Sequence, residues 1–258
     1  MSNELENTEI NRGTRLDVQL TQTGMYETRQ KSVFAIKAGA ILVNGKTITK
    51  TSFPVSETDK IEIVAPGLKY VSLGGLKMEK ALKSFHLNVK GMRVIDIGAS
   101  TGGFSDCLLQ NDAAKILCLD VGSDQLHQKL RNDSRISYFE NVDVRFFESL
   151  PHEFTEPDLI VVDVSFISVK QFIPTIKKLC SAKTRLIVLI KPQFELSEKV
   201  KMKNGILLNE PLRKKLVSGV VEEFKLNSFE LIAKVETDVE HKKKNIEELA
   251  YFRLKSYQ

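Results

Sequence analysis

Three acids and a lysine stand where apolar runs give way to loops: "VIDIGASTGGF" (94–104), "LCLDVG" (117–122), "VVDVSF" (161–166) and "LIKPQF" (189–194). In the first, Gly98, Gly102 and Gly103 let the backbone approach a ligand closely, and the amides of a helix starting there face polar ligand groups. Asp120 in the second follows about twenty residues later, where open α/β sheets bind ribose hydroxyls. The spacing G-x-x-x-G-G is not the G-x-G-x-x-G of nicotinamide binders. Together these residues predict a nucleoside ligand, against the plainer reading of a tight turn and an Asp120 helix cap. Asp163 and Lys191 end central strands, the edge where such a sheet puts its chemistry. Taken singly, Asp163 reads equally as a helix cap with Ser165, and Lys191 as a solvated lysine.

The elements that must hold these residues alternate. Strands are predicted at 93–97, 116–121, 136–140, 158–164, 185–190, 229–235 and 248–254, with helices after most of them, including "PLRKKLVSGVVEEFKL" before the sixth. This order predicts an α/β fold with a doubly wound, mostly parallel seven-stranded sheet. A smaller module precedes it. Leu16, Leu20, Val33 and Ile36 fall at helical spacing in two short helices punctuated by Gly24 and Thr28, and "AILVNGKTI" reads as a hairpin turning at Asn44-Gly45, closed by "DKIEIVA". The expected organisation is a disordered tail over 1–11, a small α+β module over 12–65, a linker over 66–71 carrying Pro66 and Gly67, and the large domain over 72–258.

Composition removes several classes. Cys107, Cys118 and Cys180 form no C-x-x-C pair, and reduced thiols fit a cytoplasmic protein. The longest apolar runs fall short of the roughly 20 residues that a membrane span needs, so no membrane partner is expected. His86, His127, His152 and His241 have no metal-site spacing, and Ser100 and Ser105 lack a G-x-S-x-G elbow, so neither a metal site nor a hydrolase is expected. The formal net charge of +5 favours an anionic partner. In the small module Arg12, Arg15, Arg29, Lys31, Lys37, Lys46 and Lys50 supply a basic face for phosphates, or simply a solvated one.

Beyond these readings, the sequence resembles the TlyA, or haemolysin A, family of ribosomal RNA 2′-O-methyltransferases related to FtsJ. "TRLDVQL…TRQKSVFAIKAGAILVNGK" is similar to its S4 domain, an RNA-binding fold. "YVSLGGLKMEKAL", "DIGASTGGFSDCLL", "LDVG", "LRND", "VVDVSFIS" and "IKPQFE" resemble its successive methyltransferase blocks, in order and over nearly the whole chain. The resemblance implies a Rossmann-like class I methyltransferase domain behind the S4-like one. It implies S-adenosyl-L-methionine in the loop Gly98, Ala99, Ser100, Thr101, Gly102 and Gly103, with Asp96 and Gly98 near its methionine end, Asp120 and Val121 by the ribose, Asp143 by the adenine and Asp163 alongside. It also implies a catalytic set of Lys77 in "GGLKM", Asp163, Lys191 and Glu247 in "NIEEL", and ribosomal RNA or a ribosomal subunit, not DNA, as partner.

A ribose 2′-hydroxyl is a poor nucleophile, so its methylation needs a base and in-line positioning. A lysine serves as that base only if its pKa falls from about 10.4 towards neutrality. Lys191 is the expected base and Lys77 the residue that positions the hydroxyl. The chain departs from the family at Leu73, where an arginine is common, at Asp143, where asparagine is frequent, and in the loops 196–209 and 238–246, which are poorer in glycine. A ribosome-binding assembly factor that keeps the fold without turnover is therefore the alternative expectation.

Overall fold

The computed structural model describes residues 13–37, 40–63, 69–146, 150–197, 200, 202, 205–237 and 245–255. The expected tail over 1–11, Arg12 and linker residues 66–68 lie outside them. The chain divides between Lys69 and Tyr70 into two compact units.

In the first unit, α1 (Leu16–Gln22) and α2 (Arg29–Lys37) pack by Leu16, Leu20, Ala35 and Ile36 against a three-stranded sheet of β2 (Ile41–Val43), β3 (Lys46–Thr47) and β5 (Ile61–Ile63). Asn44 and Gly45 both take positive φ, 50° and 74°, the conformation of a two-residue hairpin turn. A two-residue ladder of β1 (Thr14–Arg15) with β4 (Pro54–Val55) adds an element too short for any periodicity to reveal.

The second unit begins earlier than the expected linker end at 71. Tyr70 is 2 % exposed inside the unit's core, and Val71 donates its amide to the Asp106 carboxylate at 2.8 Å. Helix α3 (Gly74–Ser84) follows. Then come β6 (Arg93–Ile97), α4 (Gly103–Gln110), β7 (Lys115–Leu119), α5 (Gln128–Arg131), β8 (Ile136–Phe139), β9 (Leu159–Val162), α6 (Ile173–Leu179), β10 (Arg185–Ile190), α7 (Glu210–Leu226), β11 (Phe229–Glu236) and β12 (Glu248–Leu254). The sheet order is β11-β12-β10-β9-β6-β7-β8, with β12 antiparallel to both neighbours and the other pairs parallel. The central strands are buried on both faces, which is why they read as unbroken apolar runs. Two apolar layers cover the sheet, one under α3 and α4 and the other under α6 and α7.

Chain order reverses beside β6, which pairs with β7 on one side and β9 on the other. That switch opens a crevice at the carboxyl ends of the strands. Asp120, Asp163 and Lys191 are each the first residue after their strand, at that edge. The antiparallel β12 starts at the same edge. Its register pairs Ile190 with Glu248, which puts Glu247 level with Lys191.

Candidate active site

The glycine loop is shaped by near contacts. Gly98 sits at φ +80°, and a Cβ there would lie 2.6 Å from the Asp163 carbonyl oxygen, so only glycine lets the loop after β6 pass the loop after β9. Gly102, at φ +88°, and Gly103 are buried at the start of α4, under the side chains of Leu130 and Ser72. Ala99 is buried, while Ser100 and Thr101 are exposed on the outer side of the loop.

Asp120 organises this loop. One carboxylate oxygen accepts the Ser100 amide at 2.7 Å and the other the Gly122 amide at 2.7 Å. The sequence offered either a ribose acceptor or a helix cap; the observed bonds go to loop amides. Each oxygen keeps a further lone pair, and Val121 beside it is exposed. Asp143 is gripped by Arg145, whose Nη2 lies 2.6 Å away and holds the carboxyl below its ordinary value.

Asp96 lies beneath the loop, fully buried. One oxygen accepts the Ser105 hydroxyl at 2.6 Å, and the other has no hydrogen-bond partner among the described residues. Burial pushes its carboxyl up to about 7; the Ser105 bond opposes this, and Asp163 and Asp120 add to it. A buried orphan oxygen beside a glycine cradle is a place made for a ligand's hydrogen-bond donor. That acceptor beside the glycine loop fits the cationic amino-acid end of S-adenosylmethionine.

Two lysine–carboxylate pairs occupy the open edge. Lys191 Nζ is 2.5 Å from Asp163 Oδ1 and donates to the Ser165 hydroxyl at 2.7 Å. Lys77, on the first turn of α3, donates to Glu247 Oε2 at 2.6 Å. Gln193, two residues after Lys191, donates its side-chain amide to the other Glu247 oxygen at 3.3 Å. Thus the four residues named from separate parts of the sequence form two ion pairs at the same sheet edge, with Glu247 level with Lys191 in the strand register, and Asp163 and Ser165 face Lys191 where a helix cap was the alternative.

Sequence reasoning missed Phe166. It is 90 % exposed, holds φ at +67°, and tilts against Phe194 with ring centroids 5.1 Å apart. Inside "VVDVSFI" it reads as core, and no sequence signal marks it as exposed. Ser165, Gln193 and Glu195 were missed as well. Among the RNA-contact expectations, Arg15 and Arg29 are exposed and share the buried Asp17 carboxylate, each at 2.9 Å. Lys31 pairs with Glu27, and Lys46 is exposed on β3. The side chain of Lys37 lies outside the described residues. So do residues 240–244.

A seven-stranded sheet of this order, with one antiparallel strand inserted next to the edge and a glycine loop after the first central strand, defines a class I methyltransferase fold. The chain belongs to the FtsJ-like methyltransferase family, which it matches over residues 70–254, and an S4 domain matches residues 14–61. It is 38% identical to Hemolysin A of Brachyspira hyodysenteriae over 92% of this chain and 99% of that one. It is 34% identical to the 16S/23S rRNA (cytidine-2′-O)-methyltransferase TlyA of Mycobacterium tuberculosis over 81% of this chain and 78% of that one. A solved structure from Streptococcus thermophilus, described as a candidate hemolysin, superposes with a TM-score of 0.71 at 35% identity, covering 93% of this chain and 88% of that one. Among the described residues, no helix is long and apolar enough to cross a membrane.

Proposed function

We propose that the protein methylates a ribose 2′-hydroxyl of ribosomal RNA with S-adenosylmethionine as donor. The observation that carries this reading is the meeting of Lys191–Asp163 and Lys77–Glu247 at the sheet edge beside the glycine loop. Bound in the crevice, the cofactor supplies an electrophilic methyl group on a sulfonium. Gly98, Ala99, Ser100, Thr101, Gly102 and Gly103 would cradle it, with Asp96 towards its amino group, Asp120 and Val121 towards the ribose, and Asp143 towards the adenine.

Lys191 serves as the proton acceptor for the 2′-hydroxyl, and Asp163, 2.5 Å away, holds its ammonium form. Lys77, oriented by Glu247, donates to the same oxygen and aligns it. The exposed Phe166 ring offers a face on which a base turned out of its RNA helix can stack. The S4 domain adds sequence-independent affinity through phosphate contacts from Arg15, Arg29 and neighbouring lysines. The partner is ribosomal RNA, naked or within a ribosomal subunit, in the cytoplasm.

The test follows labelled methyl transfer from S-adenosylmethionine to ribosomal subunits and to naked ribosomal RNA, by the native protein and by Lys191→Ala. Label on one ribose that is lost in the variant is the expected result. No label on either substrate, with cofactor binding intact, would instead make the chain a non-catalytic ribosome-binding factor.

A further inference from the structure

Glu195 is a buried carboxylate, 6 % exposed, with no ion-pair partner among the described residues. Its hydrogen bonds go to another loop. Oε2 accepts the Ser168 hydroxyl at 2.5 Å, and Oε1 accepts the Val169 amide at 2.8 Å. Burying a charge without a cation is costly unless its hydrogen bonds secure something in return. Here they secure the far end of the loop 163–168, at the start of the 3-10 turn Val169–Phe172.

That loop would not hold its shape unaided. Phe166 is bulky and sits in the left-handed region at φ +67°, a conformation that persists only where surroundings enforce it. One end of the loop leaves β9 at Asp163, whose amide donates to Ile97 O at 2.9 Å. The other end is the Glu195 anchor. Between them Ser165 meets Lys191, and Phe166 meets Phe194.

Lys191 and Glu195 belong to one rigid turn. Phe194 donates its amide to Lys191 O at 2.9 Å and Glu195 to Pro192 O at 3.1 Å. A five-residue turn thus carries the lysine at its first position and the loop anchor at its last, so the turn fixes the distance between the two. We propose that Glu195 is a positioning residue for methyl transfer: by clamping Ser168 and Val169 it sets the 163–168 loop, holding Asp163 and Ser165 on Lys191 and Phe166 outward. The kinetic part of this inference rests on the function proposed above.

The test compares Glu195→Ala, Glu195→Gln and Ser168→Ala in the full chain, by turnover on ribosomal subunits, cofactor affinity, and amide hydrogen exchange over 164–169 without RNA. Glu195→Ala should lower kcat tenfold or more, leave the cofactor Kd within twofold, and speed exchange in that segment at least tenfold. Glu195→Gln should keep kcat within threefold, because a carboxamide still accepts from Val169 and can donate to the Ser168 oxygen. Ser168→Ala should fall two- to fivefold. The inference is overturned if Glu195→Ala keeps native kcat and native exchange, or if Glu195→Gln is as impaired as Glu195→Ala. If Glu195→Ala does not fold, native kcat and native exchange in Ser168→Ala overturn it instead. Should the native protein transfer no methyl group, the exchange arm still decides the clamp while the functional reading alone fails.

Discussion

Lys77 and Glu247 are 170 residues apart in the chain, yet Nζ lies 2.6 Å from Oε2, and both side chains are mostly withdrawn from water. The helix that follows Tyr70 supplies one partner and the start of the antiparallel β12 the other. A pair held this way acts as a unit, so its two members should not contribute independently. Lys77→Met and Glu247→Gln are each expected to lower kcat by roughly 100-fold, the loss that misplacing a reacting group can cause. The double variant should be scarcely worse than either single one. Strict additivity in a double-mutant cycle of kcat would show that the two side chains work separately.

At Gly98 the glycine loop presses on backbone and not on side chains alone. A methyl group at that position meets the Asp163 carbonyl and a backbone that L side chains rarely adopt. Gly98→Ala should cost about 2 kcal/mol or more. For a domain of this size that is roughly a 4–8 °C fall in Tm. It should also displace Asp163, so cofactor affinity and turnover drop together. Calorimetric unfolding and cofactor titration measure both, and an unchanged Tm would mean that the loop simply moves aside.

What the sequence disclosed and what it withheld divide along physical lines. Strands 93–97, 185–190 and 248–254 are found where periodicity and composition placed them, because burial leaves each a mostly apolar stretch, interrupted by Asp96 in the first and carrying Glu248 and Arg253 near the ends of the last. The strand read as 158–164 ends at Val162, and Asp163, its amide still on Ile97 O, turns its carboxylate to Lys191. The strand read as 116–121 ends at Leu119, where Asp120 turns to bond the Ser100 amide. Acids and lysines at strand ends were legible as chemistry. The loop contacts of Ser165, Phe166, Gln193 and Glu195 depend on how two loops fold against each other, and no period in the chain encodes that.

The small unit offers a separate test. Burial raises the Asp17 carboxyl, but its bond from Arg15, and then that from Arg29, outweigh this and hold it below its ordinary value. Asp17 therefore fixes two exposed guanidinium groups in place, the ones proposed to meet phosphates. Arg15→Ala and Arg29→Ala should each weaken ribosomal RNA binding and reduce the slope of log K against log salt by roughly 0.7–0.9 per lost phosphate contact. Cofactor affinity should stay native in both. An unchanged salt slope would remove these arginines from the interface.

Phe166 should matter to RNA and not to cofactor. Stacking of a base on an aromatic ring is worth about 1–3 kcal/mol, so Phe166→Ala should raise KM for the ribosomal substrate roughly 5- to 150-fold. Phe166→Tyr, which keeps the ring, should stay near native. Since the exposed ring has only Phe194 as an aromatic neighbour among the described residues, little stability should be lost. A native KM in Phe166→Ala would show that the target base is held elsewhere.

Asp96 makes the site answer to pH. Its carboxyl, raised to about 7 chiefly by burial, keeps its proton in the folded state up to that pH, whereas an unfolded aspartate loses it near about 3.9. The folded state therefore binds more protons between those values, and stability falls as pH rises through the window. Asp96→Asn removes the cost. It should leave stability near native at pH 4 and raise it at pH 8 by an amount on the order of 2–4 kcal/mol. Binding runs the opposite way, because a cationic amino group facing the orphan oxygen favours the carboxylate. Cofactor affinity of the native protein should thus tighten from pH 5.5 to 7, by up to about tenfold per pH unit, while Asp96→Asn binds more weakly with a flat profile. Calorimetric titration across that range separates the outcomes: a flat profile in the native protein would mean that Asp96 is not the group that meets the charge.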